Sequence, residues 1–265
     1  MIRSKNWRIS SRITAPNHQS KLKSLLTRFG VFLFWITVWQ IAAMTVDLEL
    51  ILPTPLTCLK TFAALLPTQK LWVAVGGTLG RIFIGYTIGC LFGILLGVVS
   101  YFIPVAGEFI KPLITVVKST PVSSFILLAI LWLSPNSVPP LISALMVTPI
   151  VYGNVLTGLG EHSRSLREVA FVYSLSPFEC GIKLFLPAVL PYVSAACLTA
   201  LGLAWKAGVA AEVLVVTKDS VGMWLYYSKL YFETAELFVW TVVVIILSFA
   251  LEKAVCLLLK NSSKR

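Results

Sequence analysis

Between Lys118 and Glu161 no residue carries a charge. A soluble domain, about a quarter charged, does not leave so long a stretch bare. One membrane crossing needs only about 20 apolar residues. The stretch therefore holds two crossings, parted where Ser134-Pro135-Asn136-Ser137 and Pro139-Pro140 supply a tight turn. A second charge-free run covers residues 82–107. Inside a bilayer each backbone polar group needs a partner within the protein, and apolar runs of this length meet that need as helices. The fold class is therefore all-α and polytopic. Six spans are predicted, at about 29–46, 76–101, 113–134, 138–158, 188–212 and 235–257. Residues 51–66 are too short for a seventh and carry two prolines near their start, so they read as a surface helix.

Composition agrees: the chain is 57% hydrophobic and only 12% charged. Its 265 residues leave no room for a sizeable soluble domain beside six spans. The organisation expected is a basic tail at 1–28, a membrane domain at 29–259 and a short end at 260–265. The tail lacks the short apolar core and small-residue cleavage site of a signal peptide, so it is expected to lead into an uncleaved first span. The net charge of +11 does not indicate nucleic acid. Its basic residues gather at span ends and in the tail, not on one face interleaved with aromatics. The five cysteines show no CxxC, and His18 and His162 lie outside the spans. Neither catalytic residues, nor a metal site, nor a cofactor of its own is predicted.

Basic residues also orient the spans. With both termini inside, the inner side holds 15 and the outer loops hold only Lys60, Lys70, Lys218 and Lys229. The N-in, C-in arrangement places the polar island Glu161–Pro187 in the cytoplasm, within a loop at 159–187. In that island Leu166, Val169, Ala170 and Tyr173 recur at the spacing of one helical stripe, with Arg164, Arg167 and Glu168 off it. A second short helix starts at Ser176-Pro177-Phe178-Glu179, a capping box with proline in the first helical position. Phe178, Ile182 and Phe185 continue it until Pro187, where an interruption is expected. Two such helices cannot span a bilayer and are expected to lie on its surface, one face free for a partner.

Four further features stand inside the spans. Gly85, Gly89, Gly93 and Gly97 form a groove suited to close helix packing, within the chain or against a second copy. Lys206 lies deep in the fifth span. It either lines a path for solute, together with its neighbour Trp205 and with Lys118, or it pairs with Glu212 or snorkels outward. Arg81, near the outer end of the second span, reads as an interface anchor. Pro121, after Lys118, is expected to loosen its helix.

The island resembles the EAA loop of ABC importer permeases. Glu168-Val169-Ala170 stands for Glu-Ala-Ala, Ser174 for the glycine that follows, and Leu186-Pro187 for the downstream Leu-Pro. LPTP at 52–55, TLGRIFIGY at 78–86, VVKSTPVSSFILLAILWL at 116–133 and the stretch PYVSAACLTALGLAWKAGVAAEVL also resemble this family, in its nitrate, sulfonate and taurine branch. The resemblance covers roughly 50–255. It implies the membrane subunit of an importer, working as a homodimer in the cell membrane with cytoplasmic ATPase subunits and an extracytoplasmic binding protein. Arg164, Arg167, Glu168, Val169, Ala170, Tyr173, Ser174, Leu186 and Pro187 would then form the coupling loop. ATP would bind the partner, since the chain has no GxxxxGK[ST] loop. Val169 for alanine and Ser174 for glycine depart from the pattern. A gradient-driven carrier and a polytopic membrane enzyme are the alternatives; the spans show no HExxH, no GxSxG and no cluster of acids.

Overall fold

The computed structural model describes residues 18–161 and 163–262, with side chains left out at 18–25, 163, 164, 167 and 258–262. Among the described residues every regular element is a helix. They divide into two compact units, which part between Thr57 and Cys58.

The first unit is dominated by α1 (His18–Val46), whose stretch from Leu26 is long and apolar enough to cross a membrane. The helix therefore begins inside the expected tail, whose residues 1–17 lie outside the described ones. Asp47 ends it with φ 47°. Thr54 then caps α2 (Pro55–Leu65), its Oγ1 accepting from the Thr57 N–H at 3.1 Å, with proline at the first helical position. At about 1.5 Å per residue α2 falls well short of a bilayer core.

The second unit is built round α6 (Val138–Glu161), with 56% of its apolar window buried against 17% for the last helix, α11 (Thr234–Ser262). α3 (Gln69–Phe102) runs parallel to α6. Its four spaced glycines face α6: a Cβ added at Gly89 would stand 2.7 Å from Val147 Cβ, and one at Gly93 2.7 Å from Val151 Cβ. α9 (Leu186–Val215) runs antiparallel to both, with Ser143 donating to the Ala204 carbonyl at 3.2 Å. Ile82, Val147, Val151, Ala200 and Trp205 belong to the core these three helices share. α10 (Val221–Leu230) caps one end of the unit. The α7 helix (Ser163–Val172) and α8 (Pro177–Cys180) stand at the other.

Two expected spans take a different form. Between 104 and 130 the chain forms α4 (Pro104–Ser119) and α5 (Val122–Ile130), which meet at 100°. Pro121 has no N–H and forces Thr120 into extended backbone (φ −86°, ψ 133°), so the helix breaks instead of loosening. α5 then turns back to pack Ile126 and Ala129 on Val138, Ile142 and Ala211. The second correction is at Pro187, which interrupts nothing. α8 passes through a π turn (Gly181–Phe185) directly into α9, giving one helix over Pro177–Val215. In the π turn the Leu186 N–H reaches back to the Gly181 carbonyl. The wider turn eases the proline ring past the Lys183 carbonyl. Among the described residues five helices are thus long and apolar enough to cross a membrane, or six if α4 and α5 count as one broken span. The chain is a multi-pass membrane protein.

Candidate functional site

α7 ends in a left-handed residue. Ser174 has φ 49°, its N–H bonds the Phe171 carbonyl at 3.2 Å, and the Leu175 N–H bonds the Ala170 carbonyl at 3.0 Å. These two bonds define a Schellman motif, which usually has glycine at the left-handed position. Two residues later the capping box closes: Glu179 N–H donates to Ser176 Oγ at 3.3 Å, and Ser176 N–H donates to the Glu179 carboxylate at 3.2 Å. Lys183 adds a bond to the same carboxylate at 2.8 Å.

The apolar stripe of α7 is split by this geometry. Leu166 packs on the core and Ala170 is half-buried. Val169 is exposed and Tyr173 is 72% exposed. With Phe171 at 87%, Val172 at 75% and Phe178 at 76%, Tyr173 belongs to an apolar surface left without cover among the described residues. Glu168 is exposed too, while the side chains of Arg164 and Arg167 lie outside the described ones. Spacing placed Phe178 on the stripe of the second short helix but missed Phe171 and Val172, because their outward direction depends on how α7 docks.

Both ends of the loop are anchored. Tyr192 of α9 donates to Glu161 at the end of α6, and its ring lies against Gly158, where a Cβ would stand 2.8 Å from Cδ2. Phe185 in the π turn meets the rings of Tyr101 and Phe102 at the end of α3, with centroids 6.3 and 5.9 Å apart. Leu186 and Pro187 are exposed. The loop is therefore tied directly to α6, α3 and α9.

Above the loop, one side of α9 is left open. Pro191, Ala195, Thr199, Lys206 and Ala210 are exposed at spacings that repeat with the helix. Lys206 has no ion-pair partner among the described residues; Trp205, next to it, turns into the core and is 2% exposed. An open groove of about 560 Å³, lined by Asn154, Pro187, Ala188, Pro191, Tyr192 and Ala195, lies at the loop end of this side. Lys118 is exposed on α4, with Nζ 3.8 Å from where a Cβ of Gly153 would stand, beside Asn154.

Glu212 does not pair with Lys206. It is fully buried, takes the Arg81 Nε–H at 3.0 Å, and accepts from Thr78 Oγ1 at 2.7 Å and the Gly222 N–H at 3.4 Å. Arg81 also donates to the Asp219 carbonyl at 2.8 Å, and Thr78 accepts from the Val221 N–H at 2.9 Å. A buried carboxylate needs such partners. The network pins the start of α10 to α3 and α9. Arg81 is thus an internal tie, not an interface anchor. Lys70 makes a similar tie nearby, 3.0 Å from Glu236 and 3.9 Å from the Trp224 ring, on which Trp240 stacks.

Residues 89–261 match the family described as the binding-protein-dependent transport system inner membrane component. Among curated proteins the chain is 28% identical over 205 residues to one named as an aliphatic sulfonates transport permease of Bacillus subtilis, covering 77% of this chain and 74% of the relative. It is 28% identical over 148 residues to the nitrate import permease protein of Leptolyngbya laminosa, covering 55% and 53%. It is 25% identical over 151 residues to the bicarbonate transport system permease protein of a Synechocystis strain, covering 56% and 54%. In the last two the match spans about half of the relative's length. The chain belongs to the binding-protein-dependent transport inner membrane component family, whose match takes in α6, the α7 loop and the whole of α9.

Proposed function

We propose that this member of the family is the translocating subunit of an ATP-driven importer, N-in and C-in, with the α7 loop as the cytoplasmic seat of an ATPase. The observation that carries the reading is the uncovered patch of Val169, Phe171, Val172, Tyr173 and Phe178, held on a loop anchored to three membrane helices. An ATPase groove closing on this patch would drive the continuous helix Pro177–Val215 as a lever. Arg164, Arg167 and Glu168 would frame the patch with charge. Two copies of the chain would enclose the path, and the open side of α9, with Lys206, would line it together with Lys118. ATP, bound by the partner, and a solute-loaded delivery protein would each favour one of two states, inward- or outward-facing. The chain itself carries out no ATP hydrolysis in this reading.

The solute is a small anion. Lys206 and Lys118 supply positive charge with no carboxylate against them, and the relatives are named for sulfonates, nitrate and bicarbonate. A gradient-driven carrier would need a free carboxylate deep in the membrane; Glu212 is tied to Arg81 and Thr78, and Glu252 stands toward the end of its span beside Lys253.

The test is an affinity pull-down of the tagged chain from native membranes in mild detergent, with partners identified by mass spectrometry. Wild type should bring down an ATPase, and both Phe171→Asp and Glu168→Ala should lose or weaken it. A folded wild type that retains no ATPase would end the importer reading.

A further inference from the structure

Cys90 of α3 and Cys197 of α9 face one another across the core, their sulfurs 3.7 Å apart and in hydrogen-bond contact. One helical turn before Cys90, the Tyr86 hydroxyl donates to the Cys197 carbonyl at 3.1 Å, which keeps the two antiparallel backbones in register. Cys90 is buried, whereas Cys197 is half-buried and so open to a reagent from the side of the fold. Cys58, Cys180 and Cys256 are free thiols elsewhere. The transport reading uses none of these groups.

The geometry points to a modification site: Cys90 and Cys197 are a redox pair whose disulfide staples α3 to α9. Bonding requires the sulfurs to close from 3.7 Å to about 2.05 Å. Both S–H bonds break and one S–S bond forms. Two electrons and two protons leave and must be taken up by an acceptor. Both residues lie in segments long and apolar enough to cross the membrane, where a lipid-soluble acceptor has access. A quinone is such an acceptor and departs as the hydroquinone.

The staple joins the helix that holds Arg81 to the helix that carries the loop and Lys206. It would stop the two from shifting against each other. The bridge stands on geometry alone, while its effect on uptake rests on the transport reading.

The test uses the full chain with its ATPase and delivery protein in membrane vesicles. These are treated with a benzoquinone that is fully substituted, so that it cannot add to sulfur, and free thiols are then alkylated. Mass spectrometry of peptides should find Cys90 joined to Cys197 with the loss of two hydrogens, reversed by a membrane-permeant dithiol. Uptake should be lost with the bridge and return with its reduction. Cys90→Ser should show neither effect, and Cys197→Ala serves if that variant misfolds. Absence of the joined peptide from oxidised wild type overturns the site, and a bridge that leaves uptake unchanged overturns the staple. If reduced wild type shows no uptake, the transport reading fails, and the joined peptide still decides the bridge.

Discussion

At Ser174 the backbone holds φ 49°, a conformation that costs a residue with a Cβ about 1–2 kcal/mol and costs glycine much less. Ser174→Gly should therefore stabilise the end of α7 by about 1 kcal/mol. Slower amide exchange at Ser174 and Leu175 in hydrogen-exchange mass spectrometry would check this. Glu212 is the opposite case, a residue whose removal strands a neighbour. Glu212→Ala leaves Arg81 unpaired at 17% exposure, and breaking a buried pair in this way costs about 3–5 kcal/mol. Thermal unfolding in detergent should show a clear fall, and Glu212→Gln should fall less because its amide oxygen can still accept from Thr78. Ser174 was legible from the family pattern, which puts glycine there. The partner of Glu212 was not, since Arg81 is far away along the chain and local spacing offered Lys206 instead.

Helix α3 meets α6 through glycines, and the space between them is already full. Gly93→Leu would drive a side chain into Val151, whose Cβ lies 2.7 Å from the first added atom. Such overpacking typically costs about 1–3 kcal/mol, and more where backbones cannot part. Reduced yield of folded protein on size exclusion, with a lower unfolding temperature, is the expected result. The stripe Gly85–Gly97 was visible as a groove, but not which helix filled it. The capping box at Ser176–Glu179 was equally visible, because it depends only on residues three apart. Two prolines show where local reading stops. Pro121 breaks its helix by 100°, whereas Pro187 sits within a continuous one. The same ring has opposite outcomes because a π turn precedes Pro187 and extended backbone precedes Pro121.

For the molecule as a whole, the open side of α9 is where transport is expected to be sensitive. Lys206→Ala should lower uptake by proteoliposomes while leaving assembly with the ATPase intact, and Lys206→Arg should retain more of it. Unchanged uptake in Lys206→Ala would remove this lysine from the path. Long uncharged runs, the turn residues between them and the asymmetry of basic residues determined by themselves that this chain is an all-helical membrane protein with a polar loop set apart. These are properties of segment length and composition, which hydration decides before any helix meets another. Tertiary structure alone decided that Glu212 faces Arg81, that Lys206 and Trp205 point opposite ways, that Phe171 and Phe178 stand uncovered, and that two cysteines touch. Each of these depends on the rotation and depth at which helices pack, and those are set by contacts between residues distant in the chain.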